Sequence, residues 1–197
     1  MVKRKPQKPR ALKRGAAPDA LRASALALFV EKGYHAVGIR ELSKAVGLTE
    51  AALYRHWSGK QALAVDLFQN HLAEVCELFA EAWPVQAAPE AGVAATTAAI
   101  CRLYDERPLV FRFVLMMQHE LANLVDPSTR MPMDLLIERL EAAKQRRQCG
   151  GDPRLISAAI IGIFLQTATY VLYGRLDGPL SRHERTIARH AMAVIAS

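Results

Sequence analysis

Along most of this chain the apolar residues recur three and four positions apart, and no stretch alternates convincingly. A period near 3.6 puts such residues on one face of a helix, whereas a half-buried strand needs a period of two. The pattern predicts an all-α fold of about nine helices and excludes sheet architectures. The breaks between helices carry their own chemistry. Pro18-Asp19 opens a first helix with the inner stripe Leu21, Ala25, Leu28 and Phe29, and Gly33 closes it. A short helix runs from about Ile39 to Val46, with Gly38 as N-cap and Glu41 in its first turn. Gly47 supplies a turn, and Thr49 caps a third helix expected to reach Trp57. Ser58 to Gln61 has the form of a capping box that launches a long fourth helix, which stops before Pro84. A fifth spans Pro89 to Tyr104, and Pro108 opens a sixth that ends before Asp126-Pro127. A seventh covers about Met131 to Gln148, and an eighth runs from Asp152-Pro153 to near Gly174. Ser181 and Glu184 have the spacing of a capping box for a ninth.

Charge divides the chain more sharply than helix spacing does. The net charge is +7, from 26 Lys and Arg against 19 Asp and Glu. Lys3, Arg4, Lys5, Lys8, Arg10, Lys13 and Arg14 account for all of it, because removing these seven from 26 leaves 19 cations for 19 acids. A prolyl, basic, acid-free leader of this kind is expected to be disordered, and it reads either as a nucleic-acid arm or as a solubilising extension. With 51% hydrophobic residues the remainder can bury a core without disulfides. Cys76, Cys101 and Cys149 form no close pair in sequence, and no secretory segment is visible. They read as free core thiols in a reducing cytoplasm. The organisation expected is a tail over 1–15, a DNA-binding head over 16–61, and a larger helical domain over 62–197.

The head has the makings of a helix-turn-helix. Leu42, Val46, Leu48 and Leu53 are apolar, Ser43 is small, and Gly47 lies between two helices. Small and apolar positions let two short helices cross closely, and glycine takes the turn conformation that side chains resist. On the third helix Leu53 and Trp57, four apart, should face inward. Glu50, Ala51, Tyr54 and Arg55 then face outward, where the second helix of such a unit meets the major groove. Thr49 stands at a helix N-terminus, where backbone N–H groups favour phosphate. Lys60 begins the next helix as a second phosphate contact, and Tyr54 and His56 can donate to phosphate oxygens. Glu50 can accept from a cytosine amino group.

The segment "LFVEKGYHAVGIRELSKAVGLTEAALYRHWSGKQAL", residues 28–63, resembles the tetracycline-repressor (TetR) family of bacterial one-component regulators. Gly33-Tyr34, Ile39 to Leu42, Val46 to Thr49, Leu53 to Trp57 and Lys60 to Leu63 carry the resemblance. It implies phosphate contacts for Arg40, Thr49, Tyr54, His56 and Lys60, and base-facing roles for Glu50, Ala51, Ala52 and Arg55. Two positions depart from the family pattern: Gly38 stands where threonine is usual, and Ala51 where glycine is frequent. The resemblance further implies a C-terminal block that dimerises and binds a small molecule.

Residues 155–173, "LISAAIIGIFLQTATYVLY", are apolar almost all round and long enough to raise the question of a membrane span. Ser157, Gln166, Thr167 and Thr169 interrupt the run, and no second span accompanies it, so a buried helix is expected. Ala158, Ala159, Gly162 and Ala168 permit close helix approach, and the ninth helix offers Ala188, Ala191, Val194 and Ile195. The last two helices are therefore expected to form a four-helix homodimer interface. The expected ligand pocket draws Phe113, Met116, Met117, His119 and Glu120 from the sixth helix, with Tyr104, Gln166 and Tyr170 from its neighbours. No nucleophile motif, phosphate-cradling loop or metal-ligand spacing is present, so neither an enzyme nor a cofactor is indicated. The sequence reads as a cytoplasmic, homodimeric repressor, released from double-stranded operator DNA by a small molecule. A sequence-tolerant nucleoid or division factor without an effector is the alternative, and a helical enzyme or carrier with a vestigial head a more distant third.

Overall fold

The structure, a computed structural model, describes residues 16–121, 123–126 and 128–197. The expected basic tail over 1–15 lies outside them. The described residues contain no strand, as the periodicity requires. Their nine α-helices are α1 (Ala16–Lys32), α2 (Ile39–Ala45), α3 (Glu50–Tyr54), α4 (Lys60–Ala82), α5 (Pro89–Glu106), α6 (Pro108–Leu121), α7 (Pro132–Gln145), α8 (Pro153–Leu172) and α9 (Glu184–Ala196), with a 3-10 turn at Leu180–His183. Two compact units emerge. One runs to Phe68 and includes Met117–Leu124, and the other holds Gln69–Met116 and Val125–Ser197.

The first unit packs α1 on α2 and α2 on α3 around Leu21, Phe29, Leu42, Leu53 and Leu63, all almost fully buried. Gly33 ends α1 at φ +85 and Gly47 turns α2 into α3 at φ +69, the left-handed region that disfavours a Cβ. Gly38 caps α2 through its backbone alone. Thr49 caps α3 through its side chain, Oγ1 accepting from Ala52 N–H at 3.2 Å. The third helix is shorter than its sequence suggests. It ends at Tyr54, and His56 N–H and Trp57 N–H both turn back to the Leu53 carbonyl. Trp57 nonetheless reaches the core. Its indole N–H donates to Asp66 Oδ2 at 3.0 Å, and the Arg22 guanidinium lies 5.4 Å from its ring centroid.

In the second unit α5 packs on α9, and α8 on both α7 and α9. One apolar cluster centres on Phe79, Trp83, Leu135, Leu140 and Ile195, another on Cys101, Tyr104, Phe111 and Ile187. The capping box expected at Ser181 does not form. Asp105 of α5 instead accepts from the backbone N–H groups of Leu180 at 2.7 Å and Ser181 at 3.0 Å, starting the 3-10 turn that leads into α9. A carboxylate elsewhere in the chain has taken the role that local spacing assigned to a hydroxyl. Helices α6 and α7 also stop short of their expected ends, at Leu121 and Gln145. Helix α8 is the one described helix long and apolar enough to cross a membrane, and only 17% of its most apolar window is buried within this chain. Ile156, Ser157 and Ala168 face inward, whereas Leu155, Ala159, Gly162, Gln166, Tyr170 and Tyr173 are exposed.

Candidate nucleic-acid interface

The α2–turn–α3 element presents one outward surface. Arg40 and Lys44 of α2 are exposed, as are Thr49, Glu50, Ala51, Tyr54, Arg55 and His56 in and around α3. Its support is inward: Leu42 and Leu53 are fully buried, and the buried Ser43 hydroxyl donates to the Arg40 carbonyl at 3.1 Å. The surface mixes three cations, one acid, a phenol, an imidazole and a hydroxyl, with Ala51 as its small apolar member. Tyr54, 52% exposed, stands into solvent from the last position of α3. Lys44 belongs to this surface although the sequence reading passed over it. A lysine in the last turn of α2, off the Leu42 face, was the available signal.

Two of the expected contact residues are placed differently. Ala52 is 7% exposed and turns its methyl to the core beside Leu53, so it does not belong to the base-facing set. The reason is the register of α3: a helix that begins at Glu50 and buries Leu53 also buries the position just before it. Lys60 is held within the unit. Its ammonium donates to the carbonyls of Tyr34 at 2.9 Å and His35 at 3.4 Å and sits 4.5 Å from the Tyr34 ring centroid. Arg22 is likewise engaged, by Asp66 at 2.8 Å and Asp19 at 3.1 Å, and Lys32 pairs with Glu41. Arg40, Lys44 and Arg55 are left without an ion pair among the described residues.

The expected pocket residues are scattered. Tyr104 is buried, and its hydroxyl donates to the Ala168 carbonyl at 3.0 Å, so that group is already satisfied. Phe113 is buried and Met116 is 46% exposed, both in the second unit. Gln166 and Tyr170 lie on the outward face of α8, a consequence of the turn that puts Ser157 and Ala168 inside. Met117, His119 and Glu120 fall in the first unit, where Met117 is buried and His119 is exposed. Glu120 Oε1 meets His35 Nε2 at 2.7 Å. Another polar group, on α4, is better situated. His71 Nδ1 is 3.6 Å from Glu74, which also pairs with Arg107, while His71 Nε2 is buried with no partner. Burial, seconded by the Arg107 charge, holds the His71 imidazolium pKa below its usual value against the opposing pull of Glu74. The three cysteines are free, Cys101 and Cys149 fully buried, and burial lifts the Cys101 thiol to about 12, out of reach of thiolate chemistry. No cluster of metal-binding side chains occurs among the described residues.

Residues 21–67 match the family of bacterial regulatory proteins, tetR family. The HTH-type transcriptional activator FasR of Mycolicibacterium smegmatis is 38% identical over 45 residues, a stretch covering 23% of this chain and 20% of that relative. The chain thus spans about a fifth of the length of the curated relative it matches. Among solved structures, the fatty acid degradation regulator FadR from Bacillus halodurans superposes with a TM-score of 0.80 at 17% identity, over 92% of this chain and 97% of that one. FadR from Bacillus subtilis, solved in complex with stearoyl-CoA, gives 0.80 at 17% identity over 90% and 98%. A tetR-family regulatory protein from Rhodococcus RHA1 gives 0.76 at 18% identity over 91% and 96%. At such identities these likenesses establish a shared all-α fold. The segment 21–67, which builds the α2–turn–α3 surface, is the part of the chain that matches the tetR family of bacterial regulatory proteins.

Proposed function

We propose that this protein is a cytoplasmic, homodimeric transcriptional regulator that binds a double-stranded operator through α2 and α3 and is released from it by a small molecule. The observation that carries the reading is the exposed surface of α2 and α3 over a buried Leu42–Leu53 support. Arg40, Lys44, Thr49, Tyr54 and His56 are assigned to phosphates, and Glu50, Ala51 and Arg55 to base edges. Lys60 joins the phosphate contacts by exchanging the Tyr34 and His35 carbonyls for a phosphate oxygen. The direct test is binding to duplexes from the region upstream of the gene across a salt series. Specific binding that weakens steeply with salt supports the reading, and no binding at low salt overturns it. Within that assay Tyr54→Phe is expected to weaken binding to every duplex about five-fold, the worth of one hydrogen bond of about 1 kcal/mol. A changed preference among duplexes would instead reassign Tyr54 to base reading.

Dimerisation rests on α8. A palindromic operator requires two heads, and a second copy of this chain covers the outward apolar stripe that the fold leaves open. Gly162 lies at the centre of that stripe with open space where a Cβ would stand, so Gly162→Glu leaves the single chain undisturbed. The variant is expected to run at monomer mass in light scattering where the parent runs as a dimer. A variant that keeps dimer mass would remove α8 from the interface.

The effector is assigned to the second unit, where the rings of Tyr104, Phe111 and Phe164 cluster and His71 Nε2 awaits a partner. Phe113, with its buried ring, remains a proposed lining residue. The Bacillus subtilis FadR complex makes a long-chain acyl thioester the first compound to try. By linkage, an effector releases DNA only if it binds the DNA-incompetent conformation better. Release on addition identifies a repressor relieved by its ligand, whereas tightened binding identifies a ligand-dependent DNA binder.

A further inference from the structure

His71 of α4 buries its Nε2 with no hydrogen-bond partner among the described residues. Native folds leave few buried polar atoms in that condition, because each one lost its water on burial and gained nothing in return. The other ring nitrogen, Nδ1, is 3.6 Å from one Glu74 oxygen, and Arg107 holds the second oxygen of that carboxylate. A carboxylate attracts the ring proton, so Nδ1 carries it and Nε2 is left as a lone pair. Burial, seconded by the Arg107 charge, keeps the ring from becoming imidazolium at neutral pH, against the pull of Glu74. The unpartnered atom is therefore an acceptor, and what it lacks is a donor. The neighbouring side chains define the rest of the site. Val75 and Leu78 follow His71 on α4 by four and seven residues, on the same helical face, and pack against the cluster of Cys101, Tyr104 and Phe111. Phe111 in turn stands four residues after Arg107. The rings of Tyr104, Phe111 and Phe164 meet there at centroid separations of 5.1 and 6.3 Å. The Tyr104 hydroxyl is already engaged by the Ala168 carbonyl at 3.0 Å. His71 thus offers one oriented acceptor beside an apolar cluster of aromatic rings.

We propose that the effector is a neutral amphiphile whose apolar body lies along the rings of Tyr104, Phe111 and Phe164 and whose hydroxyl or amide N–H donates to His71 Nε2. The proposal rests on the effector reading above and deepens it from a site to a class of ligand. Apolar walls with one or a few placed polar groups are the ordinary form of a small-molecule site. Other head groups fit the same atoms poorly. A carboxylate or an ester carbonyl brings an acceptor to an acceptor. The one nearby cation, Arg107, is already paired with Glu74. An ammonium can donate, but burial and the Arg107 charge, which disfavour the imidazolium, disfavour it as well. Glu74 is a positioning residue in this arrangement. It acts through the ring, by fixing which nitrogen holds the proton.

The test compares octanol, methyl octanoate and sodium octanoate, which share one chain length and differ in the head. Each is titrated calorimetrically into the full-length chain at neutral pH, with stearoyl-CoA titrated in parallel. Octanol is expected to bind once per chain and about ten-fold more tightly than the ester or the carboxylate, the usual scale for meeting or missing a buried hydrogen-bonding group. His71→Phe keeps a ring of similar bulk and should erase that preference, with circular dichroism matching the parent's. Glu74→Gln alters a part-exposed side chain and should lower the preference too, because the ring proton is then no longer held at Nδ1. Octanol affinity in the parent should fall as pH drops through the lowered pKa of His71, since protonation fills the acceptor, and should stay flat in His71→Phe. An octanol preference that survives both substitutions would overturn the assignment, as would tighter binding of the ester or the carboxylate, and both leave the effector reading intact. Stearoyl-CoA bound equally by the parent and His71→Phe, with no octyl compound bound, would also overturn the assignment alone. A parent that binds none of the four would overturn the assignment and the effector reading together.

Discussion

Trp57→Ala is expected to lower the stability of the first unit by about 3–5 kcal/mol, the usual range for emptying a buried aromatic site. It should thereby abolish DNA binding although the residue offers nothing to the outward surface. The ring is 8% exposed, it carries the Arg22 guanidinium on its face, and its N–H donates to Asp66. Removing it leaves a cavity beneath α3 and takes a donor from the same carboxylate oxygen that pairs with Arg22. A unit this small can lose most of its stability in such a change. Trp57→Phe keeps the apolar body and loses only the N–H, so its cost should fall to about 1–2 kcal/mol. The measurement is urea denaturation followed by circular dichroism, with duplex binding read on the same samples. An unchanged midpoint for Trp57→Ala would show that the ring is not part of the head's core. The chain's two tryptophans, Trp57 and Trp83, lie one in each unit. In the Trp57 variants the remaining indole fluorescence therefore reports on the second unit alone, which should unfold at the parent's midpoint.

In that second unit Gly92→Ala is expected to reverse its ordinary sign. Glycine inside a helix is less favourable than alanine by about 1 kcal/mol, so the exchange normally stabilises. Here a Cβ on residue 92 would stand 2.3 Å from two carbons of the Trp83 ring and 2.4 Å from a third. That ring is 1% exposed and stacks with Phe79 at a centroid separation of 6.0 Å, so it has little room to withdraw. Overpacking of this kind typically costs about 1–3 kcal/mol. A net loss of stability, with a red shift of Trp83 emission, is the expected result. Stabilisation would show that the ring moves freely. Combining Gly92→Ala with Trp83→Phe should recover part of the loss, because the smaller ring vacates the contested space.

The number of helices and most of their starts were readable because prolines and glycines act through one residue's own backbone. Pro89, Pro108 and Pro153 all open helices, and Gly33 and Gly47 both take positive φ. The ends were less readable. Helix α3 was expected to reach Trp57 because burial of Leu53 and Trp57 fits a four-residue spacing, yet a turn after Tyr54 buries the same ring by another route. The cap of the 3-10 turn was hidden because Asp105 lies 75 residues before Leu180, and spacing rules see only neighbours. The outward surface of α2 and α3 was legible through its inward partners, except for Ala52, whose methyl is as compatible with a core as with a groove. The pocket residues were the least legible. Which face of α6 or α8 turns inward depends on packing among distant helices, and an almost uniformly apolar helix such as α8 gives no sequence cue to its orientation.

The brevity of α3 has a consequence for how such a protein can change over time. A five-residue helix does not nucleate by itself, so its position is imposed by Leu53, by the Thr49 cap and by the ring of Trp57. Glu50, Ala51, Tyr54 and Arg55 contribute no buried contact to that support. Specificity and foldability are therefore written in different letters of the same segment. On the proposed reading, in which Glu50, Ala51 and Arg55 face base edges, drift at these three positions would retune the chain to a new operator while its thermodynamic footing stays where it was.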